Sequence, residues 1–180
     1  MTVANLFTSI RIILTPIFLI YVINNEIFLA FFVFVIAGLT DALDGIIARF
    51  CNQKSKIGAI LDPLADKLLV ITAYVTIPIK RHTIPAWLSA VVISRDVLIL
   101  LGTLILFLNS IKFEIKPSCI SKITTCFQIC TVLSALLSER YAFFKDINPY
   151  LHIFTAVFTI SSGLHYMWYW FNIINENNSN

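Results

Sequence analysis

Between residues 41 and 66, a chain that is otherwise strongly apolar carries four aspartates, Asp41, Asp44, Asp62 and Asp66. At about 100° per residue, Asp41, Asp44, Gly45 and Ala48 share one face of a helix, because positions i, i+3, i+4 and i+7 are neighbours there. Gly58, Asp62 and Asp66 recur one turn apart beyond the polar linker 50–57. Two antiparallel helices joined by that linker would turn both acidic faces onto a single volume. Carboxylates crowded in this way repel one another, so the arrangement calls for cations between them. All-oxygen ligand sets select hard divalent ions, and these four side chains are enough to hold two of them, Mg2+ or Mn2+. A two-metal clamp serves in-line displacement at phosphorus. Gly45, Ala48 and Gly58 keep the same faces bare enough for a diphosphate to lie against the backbone. Arg49 adds a planar fork for a phosphate oxygen. The other use of such acids, as caps and surface turns of a soluble protein, fits poorly with a neighbourhood that offers unpaired carboxylates so little water.

The elements that position these residues read as membrane helices. Apolar residues make up 58% of the 180, charged ones 13%, about half the share usual in a soluble domain. Mean hydropathy is +0.86. Among uninterrupted charge-free runs only 147–175 is long enough to span a bilayer unaided. The other apolar runs become full spans when the charged residues beside them are admitted into the bundle. The expected fold is therefore all-α, an integral membrane bundle of about six transmembrane helices over 4–23, 27–49, 57–79, 84–109, 118–138 and 148–174. Residues 1–180 form a single domain, with no repeat, low-complexity tract, signal peptide or presequence. Pro63, next to Asp62, favours a kink or a helix start.

Ionisable groups inside such spans are costly and tend to face a polar cavity. Asn5, Thr8 and Arg11, spaced by three, form one stripe on the first helix; capping by Asn5 or Thr8, with Arg11 reaching lipid phosphate, is the alternative. Phe28 to Leu39 reads as lipid-facing or core filler. Lys67 is as well suited to a counter-charge as to a substrate ligand. Arg95 and Asp96 lie mid-span, where Arg95 is read as a ligand for an acceptor phosphate and Asp96 as its balance. Lys122, Thr125 and Gln128 make another polar strip, with Lys122 a second acceptor ligand. Tyr166, Trp168, Tyr169, Trp170 and Phe171 form an interfacial belt. His152 and His165 stand alone and read as hydrogen-bonded packing residues. Cys51, Cys119, Cys126 and Cys130 have no metal-ligand spacing and read as reduced, buried thiols. The net charge of +3 indicates a membrane surface, and no basic run with interleaved aromatics indicates nucleic acid. With both termini inside, Arg49, Lys54, Lys56, Lys112, Lys116 and Lys122 face the cytoplasm and Lys80, Arg81, Arg140 and Lys145 the other side. That lean puts the aspartates on the cytoplasmic half.

The pattern Asp-x2-Asp-Gly-x2-Ala-Arg-x8-Gly-x3-Asp-x3-Asp stands here without departure as Asp41, Asp44, Gly45, Ala48, Arg49, Gly58, Asp62 and Asp66. It resembles the signature of the CDP-alcohol phosphatidyltransferases. The resemblance implies that Asp41, Asp44, Asp62 and Asp66 hold two divalent cations. It makes Asp66 the acceptor of the attacking alcohol's proton, and it places Asn5, Thr8, Gly45, Ala48, Arg49 and Gly58 at CDP-diacylglycerol. Lys122, Thr125 and Gln128 resemble family members whose acceptor is glycerol 3-phosphate. Those often carry glycine and lysine where this chain has Ser121 and Thr124. Ser94 to Val97, Lys116 to Ser118 and Ser121-Lys122 resemble members that use phosphatidylglycerol. The expected reaction is phosphatidyl transfer from CDP-diacylglycerol to glycerol 3-phosphate with release of CMP, with phosphatidylglycerol the second acceptor. The bilayer is the expected partner, in a bacterial plasma membrane; a homodimer is compatible, nucleic acid is not expected. A small divalent-cation channel is the reading from another class, but a cation path has no use for Gly45, Ala48, Gly58 or Arg49.

Overall fold

The computed structural model describes the backbone of residues 3–51, 58–108 and 119–178, and within them the side chains of 10–40, 67–102 and 119–172. Six helices account for this backbone: α1 (Val3–Ile23), α2 (Ile27–Cys51), α3 (Gly58–Arg81), α4 (Ala86–Leu108), α5 (Cys119–Leu137) and α6 (Ala142–Asn178). No strand occurs among the described residues, so the all-α expectation holds. The basic linker residues 52–57, with Lys112 and Lys116, lie outside them.

Five of the helices keep close to the limits read from charge and periodicity, but α6 does not. It begins at Ala142, well before the expected 148, and Pro149 is in its interior. Proline removes one backbone donor and leaves the carbonyl of Lys145 without its helical partner. Lys145 and Pro149 are both exposed, so solvent can satisfy that carbonyl and the helix continues. Pro63 likewise neither starts nor ends a helix, since α3 begins at Gly58.

α1 packs on α2 and α3, α5 packs on α6, α2 and α3, and α4 packs on α6 and α3. The apolar core runs through Phe18, Phe34, Ala73, Tyr74, Leu88 and Val132. Hydroxyls and amides stitch α5 to α6 inside it. Thr131 and Thr155 share a 2.7 Å hydrogen bond, Ser134 donates to Asn148 at 2.7 Å and Thr124 donates to the Phe158 carbonyl at 3.0 Å. Tyr74 on α3 donates to the Gln128 carbonyl at 3.2 Å.

The outer surface is the reverse of a soluble protein's. Ile13, Ile79, Phe143, Ile153, Leu164 and Trp168 are each more than half exposed, while Arg11, Arg95, Asp96, Gln128 and Thr155 are buried. Contiguous exposed apolar area on this scale marks a surface that meets something other than water. Among the described residues one helix, Cys119–Leu137, is long and apolar enough to cross a membrane on length and composition. Ile10–Ile23 and Ile27–Thr40 are shorter apolar stretches. The aromatic belt is split: Trp168 and Phe171 are exposed, but Tyr166 is buried, and the ring of Trp170 lies against Gly102, where a Cβ would overlap it.

Candidate functional site

Asp41, Asp44, Gly45, Ala48 and Arg49 fall in the C-terminal half of α2, and Gly58, Asp62 and Asp66 in the first turns of α3. Asn5 and Thr8 are on α1. The side chains of all these positions lie outside the described residues. Their neighbours are described, however, and converge. A cavity of about 380 Å3 opens between α1, α2, α3 and α5, lined by Arg11, by Ala37, Gly38 and Leu39, by Lys67 and by Thr125. Gly38 is one turn before Asp41, and Lys67 follows Asp66 directly. The two helices that carry the aspartates thus both border one cavity, whose mainly apolar wall holds Arg11, Lys67 and Thr125. Among the described residues alone there is no cluster of His, Cys, Asp or Glu able to hold a metal. The expected donor set, the four aspartates, is oxygen only, a chemistry that suits hard divalent cations.

Gly38 was not anticipated. A Cβ built on it meets nothing within 4 Å, so it faces open space at the cavity wall. The signal was present, since Gly38 is three residues before Asp41 and seven before Gly45, on the same helical face. The filler reading of Phe28 to Leu39 holds for Ala37, which is core, and for Leu39, which is exposed, but Gly38 between them opens onto the cavity.

Beside the cavity is a charged cluster. Asp96, with a fully buried side chain, accepts from Lys67 Nζ at 3.0 Å on both oxygens and from Arg95 NH1 at 2.6 Å. Arg95 NH2 donates to Ser121 Oγ and Ser162 Oγ, each at 2.7 Å. The Arg95 guanidinium also lies 6.0 Å from the centre of the Tyr166 ring. A guanidinium so placed, with a side chain 4% exposed, is stable only when paired and hydrogen-bonded. That requirement explains why Arg95 engages protein groups on α4, α5 and α6 instead of standing open. Lys67 keeps a quarter of its side chain exposed and lines the cavity. It is the counter-charge to Asp96 and the one lysine in the cavity wall among the described residues.

Ser162 as a partner of Arg95 was not anticipated, and its only trace in the sequence is a pair of serines in an apolar helix. Lys122 is exposed and Thr125 lines the cavity, but Gln128 is fully buried against Tyr74. The expected strip on α5 therefore divides, because Gln128 continues inward where the helix meets α3. Its Nε2 and Oε1 lack partners among the described residues. His165 is exposed, and His152 Nε2 is buried without a partner among the described residues, so neither is the hydrogen-bonded packing residue expected. Cys119, Cys126 and Cys130 are free thiols, exposed on the apolar flank and not buried.

Comparison with known proteins bears on the family. The family model for CDP-alcohol phosphatidyltransferase matches residues 1–161. The chain is 35% identical to the human cardiolipin synthase (CMP-forming) over 93% of its own length and 61% of that protein's. It is 32% identical to the CDP-diacylglycerol-glycerol-3-phosphate 3-phosphatidyltransferase of Aquifex aeolicus, over 90% of this chain and 88% of that one. With the enzyme of that name from Bacillus subtilis it shares 37% identity over 74% of this chain and 68% of the other. The chain thus spans about three fifths of the human relative and nearly all of the Aquifex one. A match across nine tenths of the sequence, with the aspartate motif complete and its two helices bordering one cavity, means that the chain belongs to the CDP-alcohol phosphatidyltransferase family.

Proposed function

We propose that this protein transfers the phosphatidyl group of CDP-diacylglycerol to glycerol 3-phosphate, giving phosphatidylglycerophosphate and CMP. The observation that carries this reading is the cavity that brings Arg11, Lys67 and Thr125 beside the aspartate-bearing segments of α2 and α3. A small soluble alcohol carrying a phosphate needs such a room, with cations at its wall and a proton acceptor at its mouth. In this reading Asp41, Asp44, Asp62 and Asp66 hold two divalent cations, Mg2+ or Mn2+, which when bound supply charge neutralisation of the diphosphate and alignment of the displacement. Asp66 takes the proton of the attacking hydroxyl. Gly45, Ala48 and Gly58 make room for the diphosphate, and Asn5, Thr8 and Arg49 bind the nucleotide and its phosphates. Lys67 and Arg11 bound the acceptor pocket. Lys122 and Arg95 hold the acceptor phosphate, for which Arg95 exchanges its two serine hydroxyls while Asp96 retains NH1. The exposed apolar flanks support six spans in a bilayer and one domain over residues 1–180. The distribution of basic residues supports a site facing the cytoplasm, and the membrane is read as a bacterial plasma membrane.

A second reading, with phosphatidylglycerol as acceptor and cardiolipin as product, is favoured by a specific contact. Ser121 stands where glycerol-3-phosphate users often have glycine, and its hydroxyl takes an Arg95 hydrogen bond at 2.7 Å. Half of the phosphate-binding fork is then already satisfied, which suits a phosphodiester better than a monoester. The human cardiolipin synthase (CMP-forming) is similar over 93% of the chain.

One experiment tests both. Purified protein is given CDP-diacylglycerol and, in parallel, glycerol 3-phosphate, phosphatidylglycerol, inositol phosphate or serine, with CMP release followed. CMP release with glycerol 3-phosphate, abolished by chelation and restored by Mg2+ or Mn2+, is the expected result. Conversion of phosphatidylglycerol alone would move the assignment to the second reading. Absence of release with every acceptor would overturn both.

A further inference from the structure

Lys67 is the member of the buried charged cluster that reaches the cavity beside the aspartate-bearing helices. Its ammonium has three protons to donate. Two go to the Asp96 carboxylate, at 3.0 Å to each oxygen. The side chain keeps a quarter of its surface exposed and stands in the cavity wall, so the third proton is left for an acceptor there.

A lysine ammonium ends a long flexible stem, and holding it in one place costs conformational entropy. Asp96 does the holding. Its side chain is fully buried and is itself fixed from three helices: Arg95 NH1 on α4 donates to Oδ1 at 2.6 Å, and Arg95 NH2 is tied at 2.7 Å to Ser121 on α5 and to Ser162 on α6. Among the described residues Oδ2 accepts from Lys67 alone. Arg95 already neutralises Asp96, so balancing that carboxylate does not account for a second cation. With Lys67 the cluster carries two positive charges against one negative, a surplus of one at the wall of a mainly apolar cavity. A surplus charge inside an apolar bundle calls for a counter-ion. Lys67 follows Asp66 directly and is therefore turned about 100° around α3 from it, off the face that carries Asp62 and Asp66 and toward α4. The anion it suits is one lying beside the metal-bearing face.

We propose that Lys67 binds the phosphate of the acceptor alcohol and that Asp96 is its positioning residue, holding the ammonium at the cavity wall. This rests on the phosphatidyl-transfer reading above. It applies to either acceptor, since glycerol 3-phosphate and phosphatidylglycerol share the phosphate. Asp96 touches no substrate and acts only through Lys67.

The test follows CMP release by the full chain in detergent micelles, with glycerol 3-phosphate or phosphatidylglycerol varied against fixed CDP-diacylglycerol and the reverse. KM does not depend on how much of the enzyme is folded, so a less stable variant is still informative. Lys67→Met is expected to raise the acceptor KM about tenfold or more and to leave that for CDP-diacylglycerol within about twofold, and Lys67→Arg to restore most of the loss. Asp96→Asn should raise the same KM, and should add less than about twofold when Lys67→Met is already present, since the two act as one unit. Asp96→Glu keeps the charge but displaces it by one methylene; it should raise the acceptor KM by a smaller factor, and it supplies the positional readout if Asp96→Asn yields no folded enzyme. The acceptor whose KM responds is the source of the phosphate. An unchanged acceptor KM in Lys67→Met, or an equal rise for CDP-diacylglycerol, would overturn the role of Lys67. An unchanged acceptor KM in Asp96→Glu, or a full further rise on adding Asp96→Asn to Lys67→Met, would overturn the positioning. Absence of CMP release by the wild type with both acceptors would instead overturn the phosphatidyl-transfer reading itself.

Discussion

Replacing Asp96 with asparagine tests whether the charged cluster beside the cavity holds the bundle together. The carboxylate is 0% exposed and serves two cations, Arg95 at 2.6 Å and Lys67 at 3.0 Å. Removing one member of a buried pair costs about 3 to 5 kcal/mol, because the other is left charged and uncompensated. The Arg95 side chain, 4% exposed, falls in that class. The Lys67 side chain is 25% exposed and can turn toward water, so loss of its contact adds only about 1 kcal/mol. Asparagine Oδ1 still accepts one bond and returns about 1 kcal/mol. The net expectation is a loss of about 3 to 5 kcal/mol. Denaturant unfolding in mixed micelles, followed by tryptophan fluorescence, should show a lowered midpoint with unchanged slope. Arg95→Met combined with Asp96→Asn should recover more than half of the loss, since no isolated charge then remains inside. An Asp96→Asn protein within about 1 kcal/mol of the wild type, or a double variant whose cost is the sum of the singles, would refute the reasoning.

Four further outcomes follow from the proposed chemistry and the packing. Asp44→Asn should lose turnover most severely at limiting Mg2+, seen as CMP release against metal concentration, and Asp66→Asn should lower turnover more than CDP-diacylglycerol binding. Gly45→Leu should abolish CDP-diacylglycerol binding in a folded protein, and Gly38→Leu should raise the KM for the acceptor by filling the cavity, whereas Gly38→Ala should be near neutral in a melting assay because its Cβ meets open space. Arg95→Ala and Lys122→Ala should raise the KM for glycerol 3-phosphate by about tenfold to a hundredfold, corresponding to roughly 1.5 to 3 kcal/mol, and leave that for CDP-diacylglycerol unchanged. Gly102→Ala should lower the free energy of unfolding by about 1 to 3 kcal/mol, read from denaturant unfolding, because the new methyl overlaps the Trp170 ring and the flanking helices must shift.

Much of this protein is legible in one dimension because the relevant physics is periodic. Aspartates three or four residues apart share a helical face whatever surrounds them, so their common chemistry follows from spacing and charge. The division into six helices follows as readily, since apolar runs of this length bounded by polar turns have few other ways to satisfy their backbone. The start of α6 was less legible, because solvent at the exposed Lys145 and Pro149 relieves a defect that the sequence alone counts as a stop. What only the tertiary structure decided is which distant groups meet. Arg95 reads as an open cation until Ser121 and Ser162 arrive from α5 and α6 to share its hydrogens, and Lys67 bonds across from α3 to the Asp96 carboxylate. Gln128 belongs to a polar strip by spacing but is turned into the core by the packing of α5 on α3, and Gly38 becomes cavity wall only once α1 and α5 stand opposite it. Such pairings depend on how helices cross, and crossing is set by the summed fit of many side chains, a quantity with no period along the chain.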